Sequence, residues 1–247
     1  MSSSQSLDRI NEIIDVIANN PNGCSLSDVV INLNLPKTTA HRNLNALVEK
    51  GFLMKGEGNL YKLGYKFLIL AKYYLGSLDI RDIANPYLKK LVAVFNVTAH
   101  IAIMHQNKAV YIEKIRPFSF ECAYSDIGKT IDLYCSGLGK SLLLGMDDDL
   151  KKYLTLAKFD SYTSNTLDSN SLKLELEQAR KTGYTIDNAE HEDGMFCIAA
   201  PIYDYKGNII AAISVSSGDK KILNSKKTIN SLLDSAKSIS KEFGYTK

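Results

Sequence analysis

Residues 35–63, LPKTTAHRNLNALVEKGFLMKGEGNLYKL, constrain the fold more than any other stretch of the chain. Pro36 stands where helices tend to begin. From Ala40 the apolar residues Leu44, Leu47 and Val48 fall on one face of a single helix. Lys37, Thr38, Thr39, His41, Arg42, Asn43 and Asn45 lie off that stripe, as short polar or cationic groups able to reach phosphates and base edges. Gly51 stops the helix. Phe52 to Lys55 and Asn59 to Leu63 then flank a Gly56-Glu57-Gly58 turn, which is a hairpin pattern. A recognition helix followed by a β-wing is the layout of a winged helix-turn-helix, so DNA binding and transcription regulation lead the functional readings.

The preceding residues complete that layout. Ile10, Ile13, Ile14 and Ile17 share one helix face, and Pro21-Asn22-Gly23 breaks the helix. Ser25 is placed to cap a short second helix, with Asp28 at the capping-box position and Asn34 at its close. Ser27 in the first turn of that helix joins the candidate DNA contacts, as do Lys55 and Lys62 in the wing. A three-helix bundle with an attached hairpin has the same helix pattern, so charge is needed to choose between them. The whole chain of 247 residues carries a net charge of only +3. From Lys37 to Lys66, six cations (Lys37, Arg42, Lys50, Lys55, Lys62, Lys66) face two anions (Glu49, Glu57), a local excess of +4. That patch is the electrostatic footprint DNA binding needs, although a solvated charged face has a similar density.

The length suffices for two domains, and 45% hydrophobic with 23% charged residues is ordinary for a globular protein. No apolar run approaches the ~20 residues of a membrane span, and MSSSQSLDR lacks the apolar core of an export signal. Cys24, Cys122, Cys135 and Cys197 are scattered without a CxxC pair, so they read as reduced thiols of a cytoplasmic protein with no membrane partner.

Residues 64–95 read as two helices. The first, GYKFLILAKYYLGS, carries Phe67, Leu68, Leu70, Tyr73 and Tyr74, more apolar surface than a linker needs, which suits either a dimer contact or packing on its own chain. The second is opened by Asp79 and carries Pro86, which is expected to kink it or to start a new helix. From residue 97 the pattern alternates. A hairpin about Gln106-Asn107-Lys108, a short strand before Tyr134, a glycine-rich helix start at Ser136, a helix over 168–182, a hairpin about Lys206-Gly207-Asn208 and a helix over roughly 222–242 are expected. Strands and helices in this order give an α+β domain with an antiparallel sheet flanked by helices.

The segment SGLGKS tempts a phosphate-loop reading, but Tyr134 stands where that motif needs its first glycine. Outward backbone N–H groups at a glycine-rich helix start suit a small anion such as a carboxylate. The rival reading is that the glycines merely allow close helix–sheet packing. His100, His105 and His191 with Cys122, Cys135 and Cys197 lack ligand spacing, so neither a metal nor another cofactor is assigned. No G-x-S-x-G elbow occurs, and no catalytic residue is assigned.

Taken together, LPKTTAHRNLNALVEKGFL with YKLG, then CSGLGKSLL, then GYTIDNAEHEDGMFCIAAPIYDYKGNIIAAISVS resemble the IclR-type transcription regulators from end to end. The resemblance implies a winged helix-turn-helix over 1–66, a helical linker over 67–90 and a GAF-like effector domain over 91–247. It implies homodimers, often paired into tetramers, on palindromic double-stranded operators near genes for carbon-source use. It also implies small organic-acid effectors: 2-oxo acids, sugar acids or aromatic acids. The family's effector contacts fall on Gly137, Leu138, Asp187, Cys197, Ser214 and Ser216. The family often has a small residue at Leu138, so the leucine here is expected to shrink or reshape the pocket. Two other readings stay open: a DNA-binding protein whose second domain is inert, and an enzyme acting on small carboxylic acids.

Overall fold

The computed structural model describes residues 3–117 and 125–246. They form two compact units, Met1–Leu78 and Asp79–Lys247, and the break falls inside the stretch expected to link domains.

In the first unit, helices α1 (Ser3–Ala18), α2 (Leu26–Leu33) and α3 (Lys37–Glu49) precede strands β1 (Leu53–Lys55) and β2 (Tyr61–Leu63). Local chemistry sets the ends of α2. The Ser25 N–H donates to Asp28 Oδ2 at 2.7 Å and the Asp28 N–H donates to Ser25 Oγ at 3.2 Å, a closed capping box. Asn34, with a left-handed φ of 47°, ends the helix. The apolar stripe of α3 is where its period placed it: Ala40, Leu44 and Leu47 are buried with Ile13, Ile17, Val29 and Leu53. In the wing Leu53 pairs with Leu63, and each strand is shorter than the sequence pattern suggested because the tip closes as a 3-10 turn over Glu57–Asn59. A further pairing was not foreseen. Cys24 and Tyr61 exchange backbone hydrogen bonds at 3.0 and 2.7 Å, which hooks the wing onto the α1–α2 connection. Helix α4 (Lys66–Ser77) buries none of its described side chains; Leu68 is 75% and Tyr73 72% exposed.

The second unit opens with α5 (Ile80–Phe95), capped by the Asp79 side chain on the Arg81 N–H. Pro86 does not start a new helix: α5 runs through it. The proline forfeits one N–H, while Ala84, Leu88, Leu91 and Val92, buried on one face, hold the helix on the sheet to either side. The strands are β3 (Thr98–His105), β4 (Lys108–Ile115), β5 (Thr130–Asp132), β6 (Thr185–Asn188), β7 (Phe196–Tyr203) and β8 (Ile209–Ser217). They make one antiparallel sheet in the order β5-β4-β3-β8-β7-β6. Interspersed are α6 (Gly137–Leu143), α7 (Asp147–Leu156) and α8 (Ser169–Thr182), and α9 (Lys226–Glu242) closes the chain. Helix α8 ends at Gly183, φ 82°, where the sequence placed its stop. Helix α7 has no counterpart among the expected elements; its acidic opening masks a short stripe of Leu150 and Tyr153.

Strand alternation gives the sheet two unlike faces. Ala99, Ile101, Ile198, Ala200, Ile213 and Val215 form an apolar face packed with residues of α5 and α9. The opposite face turns Thr98, His100, Asp187, Cys197, Ser214 and Ser216 toward the side covered by α6 to α8, where Ala102, Ala199 and Ala212 join Leu138 and Leu142 in a second core.

Candidate functional site

The first unit carries the candidate DNA surface. Ser27, Lys37, Thr38, His41, Arg42, Asn45, Lys55 and Lys62 are exposed, while Thr39 and Asn43 are half-buried at the flanks of the α3 stripe. The two α3 residues His41 and Asn45 stand one turn apart, with Asn45 Nδ2 3.4 Å from His41 Nε2. The Lys55 ammonium lies over the Tyr61 ring, 5.6 Å from its centroid, so the wing's cation is held near the surface by an aromatic platform.

On the second unit's polar sheet face lies a cavity. Its lining includes Gly137, Leu138, Asp187, Cys197, Ser214 and Ser216, the six residues singled out from the sequence. Cross-strand register explains why they meet. Thr98, Ser216, Cys197 and Asp187 stand opposite one another across β3, β8, β7 and β6. His100, Ser214 and Ala199 form the adjacent row. The cavity is small, about 40 Å³, with room for a few water-sized groups. The Leu138 side chain, 2% exposed, occupies part of the space beside it.

Two polar atoms in this lining lack partners among the described residues. Ser214 Oγ and His100 Nδ1 are buried and accept or donate nothing. The other imidazole nitrogen is engaged, His100 Nε2 lying 2.8 Å from Ser125 Oγ. Burial, with help from the Lys114 charge, holds the His100 pKa down at about 3, so this imidazole is neutral. Asp187 behaves in the opposite sense. Burial raises its carboxyl to about 6, against the pull of the Glu190 N–H, which donates to Asp187 Oδ1 at 2.8 Å, and of Lys140. His100, Tyr111, Ser125 and Met195 belong to the lining yet were not anticipated. The one signal for His100 was a polar ring set between the apolar neighbours Ala99 and Ile101.

The glycines at the α6 start resolve into two roles. A Cβ on Gly139 would fall 2.4 Å from the Leu133 backbone, so Gly139 serves packing, and its N–H is taken by the Ser136 hydroxyl at 3.1 Å. A Cβ on Gly137 would sit 3.2 Å from Cys197 Sγ, at the cavity itself. The lysine of SGLGKS points inward to protein carboxylates. Lys140 Nζ lies 2.6 Å from Glu190 Oε1 and 2.7 Å from Glu175 Oε1, with its side chain fully buried. Burial would lower Lys140, but these two carboxylates outweigh it and lift the ammonium above its ordinary value. Cys24, Cys135 and Cys197 are buried, and Cys122 lies outside the described residues. No described helix is long and apolar enough to cross a membrane.

Comparison with known proteins agrees with this geometry. Residues 6–56 match the family profile described as IclR helix-turn-helix domain, and residues 72–241 match Bacterial transcriptional regulator IclR C-terminal. The chain is 34% identical to an uncharacterized HTH-type transcriptional regulator of Haemophilus influenzae, over 98% of this chain and 94% of that one. It is 30% identical to the HTH-type transcriptional repressor AllR of Escherichia coli, over 98% and 91%. The crystal structure of the Agobacterium tumefaciens repressor BlcR superposes with a TM-score of 0.85 at 25% identity, covering 100% of both chains.

Proposed function

Because the chain belongs to the IclR family of bacterial transcriptional regulators, we propose that it binds a palindromic operator as a dimer or tetramer and that a small organic acid controls that binding. The observation that carries the effector half is the pair Ser214 Oγ and His100 Nδ1, both buried without partners among the described residues in one cavity. A buried polar group left unsatisfied costs about 1–3 kcal/mol, and a ligand that satisfies it recovers that cost. The narrow cavity and Leu138 favour the smallest acids, such as glyoxylate or pyruvate, over sugar acids and aromatic acids. Gly137 at the α6 start and the Ser214 and Ser216 hydroxyls meet the carboxylate, Asp187 meets a ligand hydroxyl or hydrate, and Cys197 forms a soft wall. Carbon-source genes are the natural targets of a regulator that senses such metabolites.

On the DNA side, the exposed cations Lys37, Arg42, Lys55 and Lys62 neutralise phosphates, while Ser27, Thr38, Thr39, His41, Asn43 and Asn45 approach base edges and sugars. The exposed apolar residues of α4 support a dimer contact. The acid acts by binding one state of the regulator better than the other, and residues 67–90 carry the difference to the DNA-binding unit.

The test is gel-shift binding of the chain to its own upstream intergenic DNA with and without glyoxylate, pyruvate and a sugar-acid panel. Specific binding altered by one of the smallest acids is expected. Specific binding indifferent to every acid removes the effector half, and failure to select any DNA site from a random pool removes the rest.

A further inference from the structure

Lys140 does not line the cavity, yet its ammonium joins two of the cavity's walls. Its own helix, α6, supplies Gly137 and Leu138. Glu190, 2.6 and 2.8 Å from Lys140 Nζ, sits in the middle of the rim segment that supplies Asp187, His191, Glu192 and Met195. That rim holds a shape it would not take freely. Ala189 has a φ of 57°, a left-handed backbone in a residue with a Cβ, and such strain persists only where its surroundings over-determine it. The surroundings are visible. The Glu190 carboxylate also accepts from the Asn188 N–H at 3.3 Å, and the Thr163 and Thr166 hydroxyls donate to the Ala189 and Glu190 carbonyls at 2.7 and 2.6 Å.

We infer that Lys140, acting through Glu190, is a positioning residue that fixes the spacing between the α6 wall and the rim wall of the cavity, and thereby its affinity for small acids, without touching the ligand. The rim half of this inference stands on geometry alone, and the affinity half rests on the effector reading proposed above. The rival role is fold stability alone, and the two separate cleanly. Replacing both members of a buried ion pair with apolar residues of similar size is often neutral for stability, whereas removing one member is not. In the full chain, Lys140→Met with Glu190→Met therefore removes the link while leaving no unpaired partner between the two; Glu175 loses the ion pair of its buried Oε1 but keeps 21% of its side chain exposed as a route to water.

The experiment compares hydrogen–deuterium exchange, glyoxylate affinity and operator affinity of this double variant with wild type. Exchange across residues 189–195 at least tenfold faster is expected, with β7 and β8 unchanged, glyoxylate affinity at least tenfold weaker and operator affinity unaltered. A folded double variant with unchanged rim exchange overturns the inference. If the double variant does not fold, Glu190→Gln is measured the same way, because it keeps the shape and weakens only the ion pair. Several-fold faster exchange confined to the rim supports the link, and unchanged exchange overturns it. A rim that loosens in a protein whose wild type binds no glyoxylate would sink the effector reading and leave the link standing.

Discussion

Two polar clusters share the sheet face beneath α6, and they are built on opposite terms. Around Lys140 the ammonium is fully partnered: it has carboxylate oxygens of Glu190 and Glu175 at 2.6, 2.7 and 2.8 Å, and Ser141 and Thr185 close their own hydroxyl pair at 2.7 Å. Around Ser214 the cluster is open, with a hydroxyl and an imidazole nitrogen buried in a cavity and unbonded among the described residues. Burial does not tell the clusters apart, since Lys140 and Ser214 are both 0% exposed. Charge pairing does: Glu175 Oε1 and Asn188 Oδ1 also lack hydrogen-bond partners among the described residues, but the ammonium beside them is held by carboxylates at ion-pair distance, whereas no described group meets Ser214 Oγ or His100 Nδ1. An ion-paired cluster rigidifies, whereas an unpaired hydroxyl and imidazole nitrogen carry a cost that a ligand removes.

The sharpest way to break this comparison is Lys140→Met alone. It strands the Glu190 carboxylate, 2% exposed, and denaturant unfolding should show a loss of roughly 3–5 kcal/mol. A loss under about 1 kcal/mol would mean the cluster relaxes into water and is no scaffold. Next in size is Leu138→Ala, expected to cost roughly 2 kcal/mol or more as the second core opens toward the cavity. A thermal-shift panel should then show preference moving from glyoxylate toward larger acids. Ser214→Ala should do the reverse of the lysine change. Stability should stay level or rise by up to about 1 kcal/mol, because an unsatisfied buried hydroxyl is removed, while acid affinity falls about tenfold.

The smallest expected effect is a pH dependence through Asp187. Its folded pKa of about 6 lies above the ordinary 3.8, so the fold retains a proton that the unfolded chain releases between those values. This group's contribution to stability is therefore largest below the unfolded value, declines as pH rises across that window, and is lost above about 6. A carboxylate ligand beside Asp187 should likewise bind several-fold more weakly at pH 7.5 than at pH 5.5, and Asp187→Asn should make the profile shallower in calorimetric titrations, the remainder coming from Glu190, which burial raises to about 7.

What the sequence disclosed follows from how far apart the interacting residues lie. The capping box of Ser25 and Asp28, the stripe of α3 and the wing are local, and their chemistry is written within a few residues. The serine pair of β8 was legible because alternation needs only one strand. His100 was not, since its missing partner becomes evident only when β3 pairs with β8, more than a hundred residues later. The Lys140–Glu190 link spans 50 residues, and its lysine sat in a glycine-rich segment read as a helix start for a small anion or for close packing, neither of which assigns the lysine a partner. Helix α7 escaped notice because two buried apolar residues among charged ones make a weak stripe.

The central claim is that the open cluster is a ligand site and the closed one a support for it. Calorimetric titration of wild type and Ser214→Ala with glyoxylate and pyruvate at pH 6 tests it most directly. The account predicts saturable binding of at least one acid to wild type and about tenfold weaker binding to the variant at undiminished stability. Equal binding by both proteins, or none by wild type, would contradict it.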